Sequence, residues 1–282
     1  MKKPREKLLT GNYIWIVVIL LVIVAIYAAA RLMQVDIPQD QKRISVVLEN
    51  SGSERWSQYL NGIDQAASDR NVEVSTVMTT YFSREGERDD LVTSEYMSGA
   101  NAVITKTEPD ASQVADTLME EITDEFDGGI SGRSVALLKG SSFDTFTNEV
   151  AELLSARIEE AGGEILWQKN APCNVSGLLK KSIRTDIIVA LDDDLLCQAA
   201  AYLVTKKNDR RHLVGIGCSS NSVYYLDRGV ITAMLVPDDF TLGYESLLAA
   251  CDGENFSKLV PSVKLIYPDE VYQEENEKLL FP

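Results

Sequence analysis

From residue 43 onward the apolar positions alternate between two patterns. Short, β-branched-rich runs give way to longer segments in which apolar residues recur every three or four positions. The first pair sets the scheme. Ile44, Val46, Val47 and Leu48 form a strand-like run, and Glu49-Asn50-Ser51-Gly52-Ser53 breaks it. Trp56, Leu60, Ile63 and Ala67 then follow at helical spacing. Ser53 is a capping residue type, and Glu54 suits the positive end of a helix dipole. The same alternation predicts strands at 72–78, 100–105, 135–139, 164–168, 186–191, 213–217, 231–236 and 263–267. Helices are predicted at 88–97, 111–126, 143–161, 175–182, 192–206, 221–228 and 241–250. Gly162-Gly163 closes the third of these, and the acidic tail from Asp269 reads as surface.

Strict alternation of strand and helix predicts parallel sheets with helices on both faces. Roughly nine strands exceed what one compact sheet of this length holds with short connections, so two lobes joined by a hinge are expected. In such sheets ligands sit beyond the carboxyl ends of the strands, which makes Asn50 to Trp56 the first wall of a crevice. The plainer reading of the same unit packs Trp56 into the core.

Residues 13–30 have a different pattern, with no charge, Pro or Gly. Extended to Met33 past one Arg, the run is long enough to cross a bilayer. Tyr13 and Trp15 lie near one end and Tyr27 near the other, where interface aromatics belong. Residues 1–11 carry Lys2, Lys3, Arg5 and Lys7 against Glu6, which puts the N-terminus in the cytoplasm and the bulk outside. The reading is a basic tail (1–11), a transmembrane anchor (12–33) and a polar stalk (34–42). A cleavable signal peptide is the alternative, because Ala28-Ala29-Ala30 resembles a cleavage site.

Composition narrows the chemistry. The formal net charge of −16 argues against nucleic-acid binding. The four cysteines have no CxxC spacing and read as free thiols, not a metal motif. His212 is the sole histidine and falls at the start of a strand, which leaves no Ser-His-Asp or Cys-His arrangement. No enzyme activity and no cofactor is expected. Asp192-Asp193-Asp194 could bind a cation, but an acid run at a helix start more often serves the dipole. Gly215-Ile216-Gly217 reads as a strand–helix turn, and the sequons at Asn174 and Asn255 as chance matches.

The order of these elements resembles the type I periplasmic binding proteins, the sugar-binding and LacI-like fold. Three stretches carry the resemblance. ISVVLENSGSERWSQYLNGIDQAASDRNVEV is similar to the opening strand, aromatic-bearing turn, first helix and second strand of that family. ASQVADTLMEEITDEFDGGISGRSVALLKGSS is like its crossing helix and the first strand of its second lobe. Residues 185–250, from TDIIVALDDD to ESLLAA, follow with its later elements in family order. The resemblance implies a first lobe of 43–108 plus 232–259 and a second of 109–230 plus 261–282. The hinge crossings then fall near 106–110, 229–232 and 261.

It also implies a ligand between the lobes. Trp56 matches the family's ring-stacking aromatic, and Asp192 or Asp193 its Asn/Asp position. Cys218 stands where relatives carry Asp, Pro237 where many carry Gln, and residues 141–152 lack the family's Arg. The first lobe is about one strand–helix unit short. The resulting candidate set is Trp56, Asn50, Ser51, Lys106, Asp110, Asp144, Asp192, Asp193, Cys218 and Asp238. Its acidity favours a polyol, an amine or a cation over an anion. Two functions follow. One is a membrane-anchored, extracytoplasmic solute-binding protein that passes a small polar, sugar-like or polyol ligand to an ABC permease or membrane sensor. The alternative is a degenerate binding fold acting as a protein-interaction or assembly platform.

Overall fold

The computed structural model describes residues 42–49, 54–79, 87–126, 129–142, 144–181, 185–206 and 211–281. The apolar segment 12–33 lies outside the described residues. Among the described residues no helix is long and apolar enough to cross a membrane. The chain from Lys42 onward forms one compact unit.

In chain order the first elements are β1 (Arg43–Glu49), α1 (Glu54–Arg70), β2 (Glu73–Thr79), α2 (Glu87–Met97), β3 (Ala102–Thr105) and α3 (Ala111–Asp124). Then come β4 (Ser134–Ser141), α4 (Thr145–Glu160), β5 (Glu164–Ala171), α5 (Val175–Lys181), β6 (Ile187–Ala190) and α6 (Asp193–Val204). The last are β7 (His212–Ile216), α7 (Ser220–Asp227), β8 (Ala233–Pro237), α8 (Asp239–Asp252), β9 (Val263–Ile266) and α9 (Glu274–Leu280).

The strands form two sheets, ordered β2-β1-β3 and β5-β4-β6-β7-β8-β9. In the first, Ile44 sits opposite both Val74 and Ala102, all parallel. Ile44, Val46 and Leu48 point to one face, where Tyr59 and Ile63 of α1 and Leu242 and Leu247 of α8 bury them. The other face is thin. Among the described residues its buried apolar side chains are Val47, Ala100 and Val103, Ser45 is buried beside them and donates to Glu95 Oε2, and α2 buries none of its own residues. The second sheet is covered on both sides. Ile187 and Val189 of β6 enter one core while Ile188 and Ala190 enter the other. This two-sided burial explains why β6 reads as an unbroken apolar run. Each fully buried aliphatic side chain contributes about 1.5–3 kcal/mol.

α1 and α8 cross at backbone contact. A Cβ on Gly62 would lie 2.1 Å from the Phe240 carbonyl oxygen, and one on Gly243 would lie 2.1 Å from that of Tyr59. The two glycines face each other's helix, so neither position has room for a side chain.

Three features differ from the sequence reading. The run assigned to the first lobe at 232–236 is β8, which pairs with β7 in the second sheet (Gly215 opposite Met234). All five β8 residues are buried on its two faces, and the six-stranded sheet has a large core on each side where the three-stranded sheet has a large one and a thin one. The chain therefore returns to the first lobe at Asp238, not near 229–232. β9 runs antiparallel to β8, because a tight return from the first lobe brings the chain back alongside it. The acidic tail is not all surface: Val271 and Leu280 are buried in the second-lobe core, and Asn276 Nδ2 donates to the Glu270 carbonyl.

Candidate functional site

The two sheets meet at their carboxyl ends. Gln58, on the first turns of α1 after β1, donates through Nε2 to the Cys218 carbonyl, just past β7, at 3.4 Å. Both ends of this buried bond belong to different lobes. The loops beyond β1 and β3 therefore face the loops beyond β4, β6 and β7, where ligands bind in open α/β sheets.

On the first-lobe side Trp56 is half-buried, and the Lys106 ammonium lies over its ring, 5.1 Å from the centroid. A cation so placed is attracted by the negative face of the indole. Lys106 Nζ also lies 3.0 Å from Asp239 Oδ1 and 3.3 Å from Glu108 Oε1. The Lys106 side chain is 2% exposed and that of Asp239 0%, so this is a buried ion pair at the foot of the cleft. Neither Asp239 nor Gln58 was legible as a cleft residue in the sequence. Asp239 reads as a first-turn acid of α8, and its partner lies far away in the chain.

On the second-lobe side the acids divide into two roles. Asp144 and Asp192 each cap a helix, accepting from Thr147 N at 3.1 Å and Leu195 N at 3.0 Å. Each cap engages one carboxylate oxygen. Burial pushes the Asp192 carboxyl above the usual carboxylate range, against the Leu195 hydrogen bond, and the neighbouring charges of Asp194, Asp193 and Asp144 push it further. Asp193 faces inward. Its Oδ1 accepts from Cys218 N at 2.8 Å, Ser219 N at 3.2 Å and Ser222 Oγ at 2.7 Å. It braces the turn after β6 to the turn after β7. Cys218 is buried, and its backbone is engaged on both sides.

Two further candidates are local caps. Asp110 is exposed and accepts from Gln113 N, and Asp238 accepts from Thr241 N. Asn50 and Ser51 lie outside the described residues. The cysteines at 173, 197, 218 and 251 are free thiols. Among the described residues no cluster of His, Cys, Asp and Glu is arranged to hold a metal ion.

His212 begins β7, at the end of the sheet away from the cleft. It is buried between Glu121 (Nε2 to Oε1, 3.5 Å) and Glu125 (Nδ1 to Oε1, 3.8 Å), with Phe126 edge-on to its ring. Tyr267 donates to Glu121 Oε2 at 2.6 Å. Burial would raise the Glu121 carboxyl, but His212 and Tyr267 outweigh it and hold the group below its ordinary value. His212, Glu125 and Phe126 line a cavity of about 300 Å³ with Arg211 and Thr232.

No family model and no curated protein matches this sequence. The fold, however, is that of known structures. It is similar to a carbohydrate transporter solute-binding protein from Agrobacterium radiobacter in complex with D-arabinose. The TM-score is 0.74 at 12% identity, covering 86% of this chain and 99% of that one. It is similar to the XylFII–LytSN complex, with a TM-score of 0.69 at 14% identity over 82% of this chain and 99% of that one. It is also similar to GanP, a glucose–galactose binding protein from Geobacillus stearothermophilus, with a TM-score of 0.69 at 13% identity over 83% and 100%. At these identities the likeness defines the class of fold: a two-lobed α/β fold shared with sugar solute-binding proteins.

Proposed function

We propose that this chain is a membrane-tethered, extracytoplasmic solute-binding module. It captures a small polar ligand, sugar-like or a polyol, between its lobes and presents it to an ABC permease or a membrane sensor. The observation that carries the reading is the meeting of the two sheets' carboxyl ends at Gln58 and Cys218. Trp56 lies two residues before Gln58, and Asp192 directly precedes the Asp193 brace to Cys218. An indole face with carboxylates opposite suits a ring with apolar faces and donating hydroxyls. The arabinose complex and the glucose–galactose binding protein of like fold support that ligand class. The XylFII–LytSN complex of like fold supports a protein partner. Residues 12–33 supply the tether, with the basic tail in the cytoplasm.

One observation favours the second reading, a protein-interaction platform. Lys106 occupies a face of Trp56 that a sugar ring would need. A thermal-shift screen of the full chain in detergent decides between them. The panel is sugars, polyols, nucleosides, amino acids and polyamines. A ligand at 100 times its Kd stabilises the fold by about 2.7 kcal/mol. A sugar or polyol is expected to raise Tm, and Trp56→Ala to abolish the shift while circular dichroism stays native. Silence across the panel from a well-folded chain overturns the binding module and leaves the platform.

A further inference from the structure

β4 and β6 are neighbours in the second sheet, so the residues just beyond them share one end of the cleft. Asp144 follows β4 and Asp192 follows β6. Each caps its helix through Oδ1 alone, and the Oδ2 of each has no hydrogen-bond or ion-pair partner among the described residues. Burial is the main cause that raises the Asp192 carboxyl, and the charge of Asp144 is among those that add to it. Thr147 shares the site. It is 4% exposed, and its Oγ1 has no hydrogen-bond partner. A helical threonine hydroxyl ordinarily bonds the carbonyl one turn back. Here it faces Gly140, at the end of β4. A Cβ on Gly140 would lie 2.9 Å from Thr147 Oγ1 and 2.8 Å from Asp144 Oδ2. Both oxygens therefore point into the space over the glycine, which any side chain there would fill. A buried hydroxyl left without a partner is costly, so this niche is built for a group that the chain does not supply.

We propose, resting on the solute-binding reading above, that the cleft selects an amine-bearing sugar or polyol, whose ammonium sits between Asp144 and Asp192 and donates also to Thr147 Oγ1. These three acceptors match the three N–H donors of a primary ammonium. Charge decides against a neutral ligand. Two adjacent carboxylates repel each other, and a hydroxyl leaves that repulsion in place, whereas one positive charge relieves it. Hydrogen bonds to ionised groups are also roughly twice as strong as neutral ones. Ligand geometry decides against a bare metal ion, because among the described residues no three His, Cys, Asp or Glu side chains are grouped to hold one. The chain offers no cation of its own at this point. Residues 141–152 contain no Lys or Arg, and Lys139, next to Gly140, forms no ion pair with either acid among the described residues. The amine is thus held by the second lobe, and the ring or carbon chain that bears it faces Trp56 of the first.

Thermal shift and isothermal titration calorimetry on the full chain in nonionic detergent test it. The probes are glucosamine, galactosamine and glucamine, each beside its neutral parent (glucose, galactose or sorbitol) and its N-acetyl form. An amine is expected to raise Tm and to bind about tenfold or more tightly than its neutral and N-acetyl counterparts. Asp144→Asn and Asp192→Asn are each expected to weaken that amine by about tenfold or more. Asn caps a helix as well as Asp, so both variants keep the fold. Thr147→Val is expected to weaken the amine too, while Tm without ligand stays level or rises, since no hydroxyl is then buried unpaired. Neutral sugars or polyols that bind as tightly as the amines overturn the amine preference and leave the solute-binding reading standing. So does an amine whose affinity survives any of the three substitutions in a folded chain. Silence from every amine and every neutral compound overturns both.

Discussion

Replacing Lys106 by Met keeps the length of the side chain and removes its ammonium. Asp239, at 0% exposure, then loses the ammonium that faces it at 3.0 Å. Breaking a buried pair from one side costs about 3–5 kcal/mol. The lost cation–π contact with Trp56 adds about 0.5–2 kcal/mol. Against a native stability of about 5–15 kcal/mol, the single substitution removes about a quarter or more. The paired change Lys106→Met/Asp239→Leu strands no charge and is expected to recover most of the loss, because a buried pair replaced by apolar groups is often neutral. Urea titrations of the four proteins, followed by tryptophan fluorescence and far-UV circular dichroism, close the cycle. The expected coupling is at the upper end of the 0.5–3 kcal/mol seen for contacting residues, in the direction that the double change is milder than the sum. A Lys106→Met loss below about 1 kcal/mol with an unchanged denaturant slope would refute the reasoning, since that is the value of an exposed pair.

Two further expectations concern packing and pH. Gly62→Ala and Gly243→Ala each drive a methyl against a helix carbonyl on rigid backbone, so each is expected to lose about 1–3 kcal/mol or more. Differential scanning calorimetry reads this as a lower Tm, and an unchanged Tm in either would mean that α1 and α8 do not cross in contact. Tyr267→Phe removes one donor from Glu121 and is expected to cost about 1.5 kcal/mol near neutral pH, as for a hydrogen bond to a charged acceptor. Glu121 has its folded-state pKa lowered, so its stabilisation is present above the unfolded value and lost as pH falls through the folded one. The gap between Tyr267→Phe and the unaltered chain should therefore narrow on acidification through the carboxylate range. A gap that stays constant in urea titrations from about pH 7 to about pH 2 sinks the assignment.

The sequence by itself determined whatever rests on neighbours in the chain. The strand–helix alternation is legible because a two-residue or 3.6-residue apolar period is set by the local backbone. Asp192 is legible at a helix start because a cap bond spans only three residues, whereas Asp110, Asp144 and Asp238, read as ligand candidates, turn out to be caps of the same kind. Trp56 was legible as an aromatic after the first strand, but not what lies on its ring. Tertiary structure alone decided the rest. β8 could have joined either sheet by its apolar pattern, and only the two-sided core around β7 claims it. Val271 and Leu280 look like stray apolar residues in an acidic tail until a core forms for them to enter. The Gln58–Cys218 bond joins positions 160 residues apart, and the Lys106–Asp239 pair is similarly remote. No local propensity encodes such pairs. They exist because chain folding brings three crossings and two sheet ends into one place, where a buried charge must find its partner or go unpaired.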